Sequence, residues 1–315
     1  GGGWVIGDLD SHDVVCRKLA EANPMPPLDQ LPAEMVRAGY RMQRQAQDLN
    51  APKDVDARDF TVPGPHGDVP VRLYTPAGIA TPSGLLVYFH GGGWVIGDLD
   101  THDGHCRRLA AWGACRVMAV DYRLAPENPF PKGHDDALAA VNWVFEHAGE
   151  VGADPGRIAV GGDSAGGNLA ASVALDLRAD PARKLAFQLL LYPATTGEWA
   201  TESRKTLDGP TLTFEAMRWF EKLLGAAGHP QAHRIAPGDA KDLAGAAPAL
   251  VVTAGHDCLK DEGCDYARRL NEAGVRAEHV EYPELVHDFY VMADVSPAVI
   301  EAAKETAAKL KAALA

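Results

Sequence analysis

Apolar side chains occur along most of the chain in short unbroken runs, each bounded by Gly, Pro or polar residues. Such runs are typical of strands that are covered on both faces of a sheet. Near the start of this pattern, two segments in which apolar and polar residues alternate more regularly flank the turn at residues 63–67. They predict a hairpin. The eight predicted strands are residues 57–62, 68–74, 85–89, 116–120, 157–160, 185–192, 249–254 and 276–282.

Segments between the later strands repeat their apolar positions at helical spacing. These predicted helices are residues 135–147, 168–175, 262–273 and 297–314. Gly274 directly follows the third of them, in the position of a helix C-cap. Alternation of strands and helices indicates βαβ units, so we predict an α/β fold with an eight-stranded, mostly parallel sheet flanked by helices.

Two segments do not fit this alternation and predict a helical cap. Residues 33–49 carry a loosely helical apolar stripe, with Arg37, Arg41 and Arg44 on the other face. Residues 194–245 contain an amphipathic stretch at 213–224 and are too long for a simple crossover. An ordinary crossover helix with long loops is the alternative for this second segment.

The predicted domain organisation follows from these two segments. Residues 24–50 form the first part of the cap and residues 194–245 the second. The core consists of residues 51–193 and 246–315.

The first residues of the chain duplicate a later stretch. Residues 1–20 repeat residues 91–110 with differences only at positions 11, 14, 15 and 18 of the first copy. A single repeat is not the signature of a solenoid. We interpret residues 1–23 as an extraneous or chimeric segment; a passive natural extension and a functional role are the alternatives.

Composition excludes several classes of protein. The 315 residues are 46% hydrophobic and 23% charged, as in an ordinary globular protein. A net charge of −13 disfavours nucleic acid as a partner. Five cysteines without a CxxC pair argue against a disulfide framework and a zinc site. No apolar run is long enough for a membrane span and no signal peptide is visible, so we expect a cytoplasmic protein.

Residues 162–166 read Gly-Asp-Ser-Ala-Gly, the pattern G-x-S-x-G, between a predicted strand and a predicted helix. Strand, sharp turn and helix are the context of a nucleophile elbow, in which the turn exposes the serine hydroxyl. Gly162 and Gly166 supply the small neighbours that such a turn needs. Ser164 is therefore the candidate nucleophile, and an ordinary glycine-rich turn is the alternative.

A serine hydroxyl needs a base, most often a histidine that is oriented by a carboxylate. Asp257 is the first carboxylate beyond the predicted strand 249–254. Asp261 and Glu262 fall where the next helix begins, and there they fit an interaction with the helix dipole better. We therefore predict Asp257 as the acid.

Two histidines lie beyond Asp257 and could act as the base. His279 lies inside the predicted strand 276–282, whereas His287 lies in the loop after it. Only a loop position lets the imidazole reach over the elbow. We predict His287 as the base, with an ordinary surface histidine as the alternative.

A glycine run after the predicted strand 85–89 suits the binding of developing negative charge. Residues 90–94 read HGGGW, and consecutive glycines let backbone N–H groups point into one small space. We predict an oxyanion hole made by the N–H groups of Gly91, Gly92 and Ala165. Phosphate binding is the alternative, but the GxGxxG and GxxxxGK[ST] spacings are absent.

Five motifs in order resemble those of the hormone-sensitive-lipase-like esterases, the bacterial family IV carboxylesterases of the α/β-hydrolase fold. They are HGGGW at 90–94, YRLAPE at 122–127, GDSAGG at 162–167, DCLKDEG at 257–263 and HDF at 287–289. The resemblance implies the same nucleophile, acid, base and oxyanion donors, a two-part cap, and a homodimer through the last strand and helix. We assign His90 and Asp163, within these motifs, a supporting role.

The sequence departs from the family at two motif positions. Cys258 stands where the family usually has Pro, and Asp288 where it usually has Gly. We expect Cys258 to be tolerated. A carboxylate beside the base raises its proton affinity, so Asp288 predicts a higher pH optimum.

These inferences together predict a serine carboxylesterase that hydrolyses short- to medium-chain acyl esters through an acyl-enzyme intermediate. Its partner is a small-molecule ester, and the chemistry needs no metal or cofactor. The alternatives are an amidase, peptidase or thioesterase with the same triad, and a non-catalytic binding protein on the same scaffold.

Overall fold

A computed structural model describes residues 28–47 and 49–315. The interpretation of residues 1–23 as an extraneous segment concerns residues outside this described part, so it stays a prediction.

Eight strands of the described chain form one sheet in the order β1-β2-β4-β3-β5-β6-β7-β8. β1 pairs antiparallel with β2, and β2 with β4, whereas all other neighbours are parallel. The strands are β1 (Val55–Val62), β2 (Val69–Pro76), β3 (Ser83–Phe89), β4 (Arg116–Val120), β5 (Ala153–Asp163), β6 (Phe187–Leu191), β7 (Ala249–His256) and β8 (Ala277–Val286). The predicted mostly parallel α/β sheet is confirmed.

Helices cover both faces of this sheet. The α-helices of the described chain are α1 (Ala33–Gln47), α2 (Asp103–Gly113), α3 (Lys132–Glu146), α4 (Ala165–Leu177), α5 (Ser203–Thr206), α6 (Phe214–Leu224), α7 (Lys260–Glu272) and α8 (Pro297–Ala313). Short 3-10 turns lie at Leu28–Gln30, Ala232–Arg234, Pro237–Asp239 and Phe289–Val295. Among the described residues, every helix is too short or too polar to cross a bilayer.

Alternate side chains of each central strand enter two separate hydrophobic cores. In β3, Leu85 and Val87 belong to the core beneath α3, α4 and α7. Leu86 and Tyr88 belong to the core beneath α2 and α8. Because both faces are covered, apolar residues are favoured at every position, which explains the unbroken apolar runs.

The sequence pattern does not indicate α2, although this helix connects β3 to β4. His105 and Arg108 of α2 are buried. Polar residues on the buried face interrupt the apolar period that predicts helices elsewhere in the chain.

Residues 194–245 contain α5, α6 and two 3-10 turns rather than one crossover helix. The Thr213 hydroxyl caps α6 by accepting a hydrogen bond from the Ala216 N–H at 3.1 Å. At the other end, Gly225 takes the left-handed conformation with φ 68°. These caps fix the helix that carries Phe220, whose ring lies against Gly93 after β3.

Candidate active site

Ser164 lies on the sharp turn between β5 and α4, with φ 53° and ψ −115°. A positive φ is unusual for a residue with a side chain and marks backbone strain. The turn is held because the Ser164 N–H donates to the Leu191 carbonyl at 2.9 Å. Gly166 permits it, since a Cβ there would lie 1.9 Å from the Phe89 carbonyl oxygen.

Three side chains that are distant in sequence meet at the carboxyl ends of the parallel strands. The His287 Nε2 atom lies 2.9 Å from the Ser164 hydroxyl oxygen. On the other side of the ring, Nδ1 lies 2.7 Å from Asp257 Oδ2. All three side chains are buried. This order of contacts lets the histidine accept the serine proton while the carboxylate fixes the ring.

The rival residues have other partners. Asp261 accepts a hydrogen bond from the Ser203 N–H at 2.8 Å. Glu262 forms a buried ion pair with Arg204 instead of serving only the helix dipole. His279 lies 2.9 Å from the Thr253 hydroxyl within the sheet. None of these contacts reaches Ser164.

Two carboxylates determine the protonation of His287. Burial of the imidazole opposes its charged form, but the charge and hydrogen bond of Asp257 and the charge of Asp288 outweigh burial. The pKa of His287 is therefore raised from 6.5 to about 9. Asp288 acts in the direction that the sequence suggests.

Gly91 does not fit the role of oxyanion donor that the glycine run suggests. Its N–H donates to Asp163 Oδ1 at 3.0 Å, inside the core. An N–H group that already donates to a buried carboxylate does not donate to a substrate oxygen. The described contacts therefore do not support Gly91 as an oxyanion donor; its N–H instead ties the start of the loop to Asp163.

Gly93 replaces it as a candidate that the sequence analysis missed. The N–H groups of Gly92, Gly93 and Ala165 have no acceptor within residues 28–47 and 49–315. Gly93 and Ala165 line the same pocket as Ser164. Gly93 has φ 57°, and the equal spacing of three glycines in sequence gives no signal for which N–H groups turn inward.

Asp163 and His90 lie behind the site. The Asp163 carboxylate accepts a hydrogen bond from the Tyr88 hydroxyl at 2.6 Å and lies 3.3 Å from His102 Nε2. Although burial favours the neutral acid, these partners hold the pKa of Asp163 below its usual range. The His90 carbonyl accepts from the Tyr122 hydroxyl at 2.8 Å, which ties the YRLAPE motif to the glycine loop.

A cavity of about 320 Å³ opens in front of Ser164. Its walls are mostly apolar and come from α6 and from the loops around it. Its apolar lining residues include Trp94, Leu212, Met217, Phe220, Leu224 and Ile235. Such a cavity suits a small apolar group bound next to the nucleophile.

No cluster of three or more His, Cys, Asp or Glu side chains suited to a metal ion occurs in the described residues.

The chain resembles known proteins over most of its length. A family model described as alpha/beta hydrolase fold matches residues 86–291. The chain is 41% identical over 287 residues to carboxylesterase NlhH of Mycobacterium tuberculosis, which covers 89% of each chain. It is 43% identical to esterase LipI of the same organism, over 78% of each chain.

A solved structure also resembles the chain over nearly its full length. An ester hydrolase from the Lake Arreo metagenome, EH1AB1, solved with a derivative of bipyridine phosphonate, matches with a TM-score of 0.90 at 36% identity. The match covers 98% of this chain and 99% of that one.

Proposed function

Because the chain belongs to the hormone-sensitive-lipase-like family of the alpha/beta hydrolase fold and is a carboxylic ester hydrolase, we propose that it cleaves short- to medium-chain acyl esters through Ser164, His287 and Asp257. The contacts of His287 with Ser164 at 2.9 Å and with Asp257 at 2.7 Å carry the proposal. They join a nucleophile, a base and an orienting carboxylate in one line beside an apolar cavity.

In the first half-reaction, the Ser164 hydroxyl oxygen attacks the ester carbonyl carbon as His287 Nε2 takes its proton. The N–H groups of Gly92, Gly93 and Ala165 stabilise the charge that develops on the carbonyl oxygen. The imidazolium then gives its proton to the leaving alkoxide, and an acyl-enzyme remains. Asp257 keeps the Nδ1–H tautomer, so that Nε2 is free to accept.

In the second half-reaction, His287 removes a proton from water, and the resulting nucleophile attacks the acyl carbon. Collapse of the tetrahedral species breaks the bond to Ser164 Oγ, which recovers its proton from the imidazolium. The carboxylic acid leaves, and the enzyme returns to its starting state.

The cavity of about 320 Å³ supports the chain-length assignment, since this volume accommodates a short acyl group and the Phe220 ring lines it next to Gly93. We assign residues 24–50, of which 24–27 and 48 lie outside the described part, and residues 194–245 as the two parts of a cap over this cavity. Contacts of α6 with the glycine loop support the second assignment, and the ion pair of Arg37 in α1 with Glu127 at 2.6 Å supports the first.

The decisive experiment compares the parent with Ser164→Ala on p-nitrophenyl esters from acetate to palmitate and on matched anilides and thioesters. We expect hydrolysis of the shorter esters, and a loss of roughly 10³-fold or more in kcat for the variant. Ser172→Ala, a buried serine on α4 outside the pocket, is the control and should retain activity.

Faster cleavage of anilides or thioesters than of esters would favour the amidase or thioesterase alternative. An optimum at palmitate would contradict the short-chain assignment. Full activity of Ser164→Ala would refute the triad.

We also propose a homodimer through β8 and α8, because in the described chain β8 pairs only with β7 and leaves one edge open. Sedimentation velocity at micromolar concentration tests this, and a single monomeric species would contradict it. A cytoplasmic location remains a proposal from the sequence, which fractionation of the source cells tests.

A further inference from the structure

Asp288, the residue after His287, places a second carboxylate beside the imidazole. It is 9% exposed and takes the left-handed conformation with φ 66°. Its Oδ1 atom lies 3.7 Å from His287 Nε2, the nitrogen that faces Ser164. The Asp288 carboxylate therefore lies close to the path of the proton that moves between Ser164 and His287 Nε2.

The other oxygen of this carboxylate is held by helix α1. Arg44 Nη2 donates to Asp288 Oδ2 at 2.8 Å, and the Tyr40 hydroxyl donates to the same oxygen at 3.3 Å. Tyr40 and Arg44 are four residues apart and share one face of α1, where the guanidinium also lies 4.6 Å from the tyrosine ring centre. Arg44 is 4% exposed, so α1 delivers a buried cation to the edge of the site.

A free carboxylate at this position has two effects on the base. It stabilises the imidazolium, which cannot accept a proton from Ser164. It also competes with the serine oxygen for the Nε2–H once that proton is present. A guanidinium that binds the far oxygen reduces both effects, since it offsets the negative charge and fixes the orientation of the carboxylate.

We propose that Arg44 is a positioning residue for His287. Its guanidinium holds the Asp288 carboxylate away from Nε2, so that turnover depends on this contact between α1 and the site. This inference rests on the proposed role of His287 as the base.

Few charged and titratable groups of the described chain surround His287 and Asp288. Asp257 after β7 and Asp288 face the imidazole. The centre of the Tyr192 ring, after β6, lies 4.8 Å from the centre of the imidazole ring. Asp163 at the end of β5 acts on the imidazole from farther away. Arg44 is the cation that contacts Asp288. Its removal leaves carboxylates as the nearest charges, so we expect the proton affinity of His287 to rise.

The test measures kcat/KM of a short p-nitrophenyl ester from pH 6 to 10.5 for the parent, Arg44→Met, Asp288→Asn and the double variant. Arg44→Met should move the midpoint of the acid limb upward by about one pH unit, with an activity about tenfold lower at pH 7. In the double variant no carboxylate is left unpaired, so the midpoint should return to the parent value or below it.

Two further variants serve as controls, one for the loss of a positive charge on α1 and one for misfolding of Arg44→Met. Arg41→Met removes the neighbouring guanidinium of α1, which is half exposed and donates to Asp98 at 2.7 Å, and should leave the midpoint unchanged. Tyr40→Phe keeps the ring and removes only the hydroxyl bound to Asp288. It should give a smaller upward shift even if Arg44→Met does not fold.

An unshifted midpoint in both Arg44→Met and Tyr40→Phe would overturn the inference. Loss of activity in Arg44→Met that Asp288→Asn does not relieve would also overturn it, because it would mean that Arg44 serves only to dock α1. A parent without esterase activity would instead refute the proposed function.

Discussion

Asp257 and Asp288 lie at opposite nitrogens of the His287 ring, 2.7 Å from Nδ1 and 3.7 Å from Nε2. Their negative charges raise the pKa of His287 to about 9, even though burial of the ring acts in the opposite direction. Since only the neutral imidazole can accept the serine proton, this pKa sets the lower end of the active pH range.

We therefore predict that kcat/KM rises about tenfold per pH unit up to about pH 9 and then levels off. Asp288→Gly removes one of the two carboxylates and should move the midpoint downward. The measurement is a pH–rate profile, with Ser164→Ala as the blank for spontaneous hydrolysis. A flat profile between pH 6 and 9 in the parent would contradict this prediction.

Gly91 and Asp163 determine where the glycine loop begins. A Cβ on Gly91 would lie 2.2 Å from Asp163 Oδ2, so the loop would have to move away from the buried carboxylate. We predict that Gly91→Ala lowers kcat by roughly 10²-fold with little change in KM, because displaced N–H donors act mainly in the transition state.

Steady-state kinetics on one short ester test this, with Gly149→Ala as the matched control. Among the described residues, no atom outside the two chain neighbours lies within 4 Å of a Cβ at Gly149, so this variant should behave as the parent. A Gly91→Ala enzyme with raised KM and parental kcat would show that the loop serves substrate binding instead.

Helix α6 contributes one aromatic ring, that of Phe220, to the wall of the pocket. A Cβ on Gly93 would lie 2.2 Å from the Phe220 ring, so the ring already touches the glycine loop. Both residues line the cavity that contains Ser164. A shorter side chain at position 220 would therefore enlarge the cavity at this wall.

We predict that Phe220→Ala moves the preferred acyl chain to greater length and lowers kcat/KM for acetate, since short chains lose contacts with the wall. Comparison of p-nitrophenyl esters of increasing length tests this. Phe214→Ala, on the same helix but packed against Trp199 outside the pocket, is the control and should keep the parental preference. An unchanged preference in Phe220→Ala would contradict the prediction.

Across the entire fold, the strands were predictable because burial on both faces produces unbroken apolar runs. β5 is longer than its run, since Ala153–Asp163 includes polar residues before the apolar part. α2 was not predictable, because it buries His105 and Arg108 where an apolar stripe is expected. The hydrophobic pattern of the sequence therefore does not predict a helix whose buried face carries polar residues.

Convergence of Ser164, Asp257 and His287 could be inferred because parallel strands bring their carboxyl ends to one edge. Their catalytic roles remain predictions. The sequence does not indicate the hydrogen bond from Gly91 to Asp163 or the ion pair of Arg44 with Asp288, because both join residues that are far apart in sequence. Such pairs become visible only once the chain is folded.

A buried ion pair helps to join the inserted segment 194–245 to the core. Arg204 of α5 binds Glu262 of α7, and both side chains are at most 3% exposed. Glu262 also accepts the Thr195 N–H at 2.7 Å, where the segment leaves β6. Loss of one member of a buried pair leaves an uncompensated charge, which costs about 3–5 kcal/mol.

We therefore predict that Arg204→Met lowers the free energy of unfolding by about 3–5 kcal/mol, seen as a lower midpoint in urea. Arg268→Met is the matched control, because this arginine is 55% exposed and pairs with Asp265 and Glu272 on the surface of α7. Exposed pairs contribute less than about 1 kcal/mol, so the control midpoint should stay near the parent. Equal midpoints for both variants would mean that this buried ion pair contributes nothing net to the stability of the fold.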